Sequence, residues 1–210
     1  GVIGFAGTTA RISALCGIGL SRAHWRSNYI QHMNKGGMKS CFKNPDRVEF
    51  SPVVSVDGMC LFVSRKVWQE VRFDEKTFPN FHLYDLDFTT AVFRAGYINY
   101  ICNTVIVEHF SEGYYTQEWL AATIDFNNKW RDALPLYVSG FPCIKNLDRY
   151  VRSREFRFIK AMMKSRGKCS WELIDGLCRQ YYRKYPFYRS IVVWFHAYRY
   201  RKRWKREGRL

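Results

Sequence analysis

The stretch "VEFSPVVSVDGMCLFVSRKVW", residues 48–68, constrains the fold more than any other. β-Branched and aromatic residues alternate on either side of Asp57-Gly58, a turn pair, and the spacing turns helical near Ser64. Two strands joined by a turn and feeding a helix are expected, with the Ser64 hydroxyl as N-cap of "RKVWQEV". The alternation continues downstream. "DFTTAVFRAG" has the spacing of a short helix, with Asp87 as N-cap, Val92 and Phe93 facing inward and Gly96 just past its end. "YINYIC" and "TVIVEH" are strand-like, and "TQEWLAATIDFNNKWRD" is amphipathic, with Trp119, Leu120, Ile124 and Asn127 toward one side. Strands interleaved with helices predict an α/β fold.

The opening "GVIGFAGTTA" reads as a buried strand entered almost at its beginning, so either more sequence lies upstream or the chain is cut at a domain boundary. It lacks the charged segment and cleavage pattern of a signal peptide. Gly1, Gly4 and Gly7 give G-x-x-G-x-x-G, not the dinucleotide-binding spacing, and point to a strand packed tightly against its neighbours. Residues 11–47 show no clean periodicity, and Gly17, Gly19, Gly36, Gly37 and Asn44-Pro45 mark loops there.

Charge divides the chain. Residues 151–210 hold 18 Lys+Arg against 4 Asp+Glu, a balance of +14, whereas residues 1–150 carry only +2 of the total +16. A domain over 1–140 followed by a basic, aromatic-rich helical tail over 141–210 is expected. Its longest apolar run, Ile191 to Phe195, is far too short to span a bilayer. The seven cysteines (16, 41, 60, 102, 143, 169 and 178) contain no C-x-x-C pair and several sit in apolar runs. Buried thiols in a reducing, cytoplasmic compartment are the expectation, ahead of a zinc site or disulfide framework.

"FHLYDLDF", residues 81–88, is the stretch richest in chemistry. A D-x-D pair can hold a divalent cation, cap a helix or supply a base. Asp87 fits the cap, which leaves Asp85 surplus to local structure among His82, Leu83 and Tyr84. A carboxylate in aromatic surroundings has raised basicity, which suits a general base working near neutrality. Asp57-Gly58 is either a plain turn or a strand-end acid where ligand-binding groups gather. His109 ends a strand-like run and emerges before the Ser111–Gly113 loop, as a structural residue or a ligand.

In order, the chain shows V-D-G-x-C-L-F-V-x-R, F-D-E, F-H-x-Y-D-x-D-F, R-A-G-Y and V-x-H-x-S-x-G. This series resembles the C-terminal half of GT-A glycosyltransferases of the family-2 group, and within it the small glycosyltransferase-like family with the StrF domain of streptomycin biosynthesis. The likeness covers roughly residues 1 to 115, "GVIGFAGT" included. It implies a partial GT-A mixed sheet with flanking helices, and transfer of a sugar from a nucleotide-diphosphate donor to an acceptor hydroxyl on a glycan or lipid-linked molecule, as in polysaccharide biosynthesis. Inverting relatives place a base at the position of Asp85. The resemblance makes Asp57, Gly58, His82 and Tyr84 the acceptor-side substrate-binding wall. Asp87 becomes a structural acid paired with Arg94, and His109 stands where some relatives put a metal-contacting histidine.

It also implies a divalent cation, Mg²⁺ or Mn²⁺, whose D-x-D ligands belong to a donor-binding half expected upstream of Gly1. The basic tail suits a solvated helical face or an anionic membrane surface, the latter making the protein peripheral at the inner face of the membrane. No specific nucleic-acid signature accompanies the charge. A non-catalytic chain binding glycan, anionic membrane surface or RNA is the alternative function.

Overall fold

In the computed structural model the described residues are 1–15, 24–113, 116–142, 144–164, 169–186 and 189–210, the side chains of 189 and 190 excepted. They form a mixed α/β structure with several sheets and six helices. Two compact units are distinguished. Among the described residues the first contains 1–13, 24–113 and 125–142, and the second 14–15, 116–124 and 144–210.

The opening strand is broken into β1 (Val2–Gly4), β2 (Ala6–Thr8) and β3 (Ala10–Arg11), each in a different sheet. β1 lies inside a four-stranded sheet between β9 (Asn99–Cys102), to which it is parallel, and β8 (Phe62–Val63), to which it is antiparallel; β6 (Phe50–Val53) forms the far edge beside β9. β2 lies between β4 (Trp25–His32) and β7 (Ser55–Val56) in a second sheet. β10 (Val107–His109) runs parallel to β4, and β5 (Met38–Lys43) pairs with β4 antiparallel. β3 pairs with β11 (Leu136–Tyr137). The glycines of the opening strand pack as its spacing predicts: a side chain at Gly4 would run into Val56, and one at Gly7 into the Ser55 carbonyl.

The β4–β5 hairpin is the main departure from the expected order, since residues 11–47 gave only loops. Its strands are largely polar and half-exposed, so the apolar alternation that betrays a strand is missing. The loop markers Gly36 and Gly37 make its turn, at φ 85° and 87°, a left-handed conformation that glycine adopts without strain. Gly17 and Gly19 lie outside the described residues, as do Cys16 and Cys143. Cys102, Cys169 and Cys178 are buried, whereas Cys41 and Cys60 are half-exposed, and all five are free thiols.

α1 (Arg65–Glu70) starts as expected, with Ser64 Oγ accepting from the Val67 N–H. α2 (Tyr84–Arg94) packs Phe88 and Val92 into a core with Val2 and Val67. α3 (Gln117–Trp130) buries Leu120, Thr123 and Phe126, a stripe turned slightly from the predicted one. In the second unit α4 (Leu147–Lys164), α5 (Trp171–Lys184) and α6 (Arg189–Arg206) pack mutually. Their core holds Phe158, Met162, Met163, Ile174, Leu177, Val193 and Trp204, with Trp171 edge-on to Trp204 at 5.2 Å. Among the described residues, no helix is long and apolar enough to cross a membrane.

Candidate functional site

The site grows from the way α2 is clamped to β7. Thr89 Oγ1 accepts from the Val56 N–H at 3.1 Å and donates to the Asp85 carbonyl at 2.8 Å, while Thr90 and Ser55 hydroxyls meet at 2.9 Å. Asn99 completes the clamp from β9. Fully buried, it accepts from the Val2 N–H and donates to the carbonyls of Val54 and Thr89. One side chain thus ties together three backbone groups, from β1, the β6–β7 connection and α2, which fixes the helix against the strands.

This brings the first turn of α2 onto the Asp57-Gly58 turn. The Gly58 N–H donates to Asp85 Oδ2 at 2.6 Å, and Asp57 Oδ1 accepts from the Met59 N–H at 3.2 Å. Both carboxylates are half-buried. Burial pushes the Asp85 carboxyl up to about 6, with the negative charge of Asp57 adding to it and backbone N–H groups of Leu86 and Gly58 opposing it. Asp57 is raised as well, by burial. Two neighbouring acids thus sit where loss of solvent favours the protonated form, the environment of a base tuned toward neutral pH.

Tyr84 adjoins the pair: burial and then the charges of Asp85 and Asp57 raise its hydroxyl pKa, and its ring meets Phe73 edge-on at 5.6 Å. His82 is half-exposed beside Phe81, which is itself 78% exposed. Tyr29 of β4 reaches the same neighbourhood, its pKa raised by burial first, then by Cys41 and by Asp57. Sequence reasoning missed Tyr29, because it lies in the stretch that carries no strand signal.

Asp87 plays a different part from the one expected. The N-cap is Leu83, in a left-handed conformation at φ 64° and without a side-chain capping bond. Asp87 lies within the first turns and points inward, 1% exposed, where its two oxygens accept from Lys129 Nζ and Trp130 Nε1, each at 2.8 Å. Lys129 also donates to Asp74 at 2.7 Å. Arg94 is not the partner of Asp87 here: it is exposed in the last turn of α2, about 10 Å further along the axis by helix rise. One ammonium serves two acids unequally. The Lys129 hydrogen bond holds Asp74 below its ordinary range, while burial keeps Asp87 above its own despite Lys129 and Trp130. Burial opposes the Lys129 charge, yet the two carboxylates keep its pKa raised. Only the question of which cation answers a buried Asp87 could have singled out Lys129-Trp130, since helical spacing treats them as the end of an amphipathic helix.

His109 ends β10 with Nδ1 3.0 Å from Gln31 Oε1 and its ring edge-on to Tyr29 at 6.1 Å; burial lowers its pKa. Among the described residues no three His, Cys, Asp or Glu side chains converge in a way that could hold a metal ion. Asp85 and Asp87 of the D-x-D letters diverge, one toward Gly58 and the other toward Lys129 and Trp130. The D-x-D letters of this stretch therefore do not form a shared cation site. Compared with protein-family models, with curated proteins and with solved structures, the chain finds no significant match in any of the three.

Proposed function

We propose that the chain belongs to an inverting glycosyltransferase of GT-A type, with Asp85 as the base. The single observation that carries this reading is the half-buried Asp85 carboxylate, held by the Gly58 N–H beside Asp57 and raised to about 6. In the proposed step an Asp85 oxygen takes the proton of an acceptor hydroxyl as that oxygen attacks the anomeric carbon of a nucleotide-diphosphate sugar. The bond to the diphosphate breaks on the opposite face, and the leaving group departs as nucleoside diphosphate. A sugar hydroxyl is a poor nucleophile at neutral pH, so a positioned base contributes about 10²–10⁴-fold.

Asp57 and Gly58, with Tyr84 and His82, form the acceptor wall in this reading. The exposed Phe81 ring offers a flat apolar face of the kind on which a sugar stacks. Asp87 is a positioning residue: anchored to Lys129 and Trp130, it fixes the helix turn from which Asp85 projects.

The test is a transfer screen on the full-length protein over several nucleotide sugars and glycan or lipid-linked acceptors, with and without Mg²⁺ or Mn²⁺. Transfer with inversion, lost in Asp85→Asn while donor binding persists, supports the reading. Retained transfer in that variant overturns the assignment, and glycan binding without turnover favours a non-catalytic role.

A further inference from the structure

α6 has two apolar faces, and only one is covered. Val193 and Trp204 are buried at 0% and 3% against the neighbouring helices of the second unit. On another side Ile191, Trp194, Phe195 and Tyr198 follow i, i+3, i+4, i+7 spacing, the pattern of a single helical stripe. Their exposures are 64%, 57%, 51% and 53%, and the Trp194 and Tyr198 rings stack on each other at 5.7 Å in the open. Such a run of large apolar side chains on a soluble surface marks a docking face.

The charges further along the helix identify the occupant. At 100° per residue Lys202 and Lys205 continue the same stripe C-terminally, and both are exposed. Arg199 and Arg206 flank it. They also line a groove of about 310 Å³ that Lys160 and Lys164 of α4 enter, with His196 at its wall. The acids of this neighbourhood are few: Glu207 pairs with Arg203 and Arg209, and residues 151–210 carry +14 in all. A second copy would bring the same positive charge against itself. A phosphate backbone would meet the cations but would leave Ile191 and Val192 without an apolar partner. An anionic bilayer surface satisfies both halves. Its headgroup layer takes Trp194, Phe195 and Tyr198, and its phosphates meet the lysines and arginines.

We propose that α6 docks this protein onto membranes containing anionic phospholipid, with Ile191, Trp194, Phe195 and Tyr198 entering the interface and the Lys202–Arg206 segment lying on the headgroup phosphates. The inference is independent of glycosyl transfer, because it rests on the second unit alone.

The intact chain is mixed with vesicles of phosphatidylcholine, with or without phosphatidylglycerol, and binding is followed by co-sedimentation and tryptophan fluorescence. Binding to the anionic vesicles is expected to exceed that to neutral ones by roughly tenfold or more and to weaken with salt. The substitutions Trp194→Ser with Phe195→Ser remove exposed side chains and should weaken binding by roughly tenfold. Lys202→Glu with Lys205→Glu should do so comparably while leaving the apolar stripe whole, so loss does not hinge on one variant's fold. Equal binding to neutral vesicles, or unchanged binding by both double variants, overturns the proposal. So does an intact chain that is a dimer and becomes monomeric on Trp194→Ser with Phe195→Ser, since the stripe would then belong to a second copy.

Discussion

The Gly58 N–H donates a 2.6 Å hydrogen bond to Asp85 Oδ2, and the missing side chain of Gly58 is what allows the approach. A Cβ at this position would stand 2.8 Å from Asp85 Cβ and 3.0 Å from Oδ2. Gly58→Ala therefore has to push the carboxylate out of place. The expected result is a fall in transfer of roughly 10²-fold, the usual effect of a displacement of about 1 Å, with a stability loss of about 1–3 kcal/mol from overpacking. Steady-state kinetics and a denaturant titration measure both. Unchanged turnover in a folded Gly58→Ala variant would show that the placement of Asp85 does not matter.

Asp85 also imposes a stability cost whose sign can be checked. Its folded-state pKa, about 6, lies above the ordinary aspartate value, so the folded form binds the proton more tightly than the unfolded chain. Its favourable contribution is complete below about pH 4 and lost as pH rises through about 6. The whole swing across that range is on the order of 3 kcal/mol. Asp85→Asn keeps an oxygen for the Gly58 N–H and cannot ionise, so it should stabilise the protein at pH 8 and have little effect near pH 4. Urea titrations of both proteins at the two pH values report this. Equal effects at both would mean the site does not raise the pKa.

Lys129 is the cation on which buried Asp87 depends. Lys129→Met leaves that carboxylate with only the Trp130 N–H and should destabilise by about 3–5 kcal/mol, the cost of stranding one buried charge. Adding Asp87→Asn removes the stranded charge and should restore part of the loss. A double-mutant cycle by thermal or denaturant unfolding gives the coupling, and simple additivity of the two losses would argue against the pairing.

The legible parts of the fold were those with apolar periodicity. Ser64 capping α1, Gly96 at φ 91° just past α2, β9 and β10, and the helical character of the C-terminal tail follow from local patterns, whereas its division into three helices was not read. The β4–β5 hairpin did not, because its half-exposed polar strands carry no such pattern, and Tyr29 went unseen with it. The two aspartates of "FHLYDLDF" were separable in sequence, but for a reason the structure revises. Asp87 is set apart by partners more than 40 residues away, not by capping, and helical spacing carries no information on such a contact. Asn99 and Thr89 were invisible for the same reason: their role is to satisfy distant backbone groups.

The central claim is that Asp85 acts as the base for sugar transfer. Its most direct test is the pH dependence of kcat/KM for transfer by the full-length wild type and its Asp85→Asn variant. The wild type should show an acid limb with a midpoint near 6, activity rising as the carboxyl ionises. The variant should lose at least about 10²-fold in rate together with that limb. A variant that keeps the wild-type rate, or keeps the limb, would contradict the account.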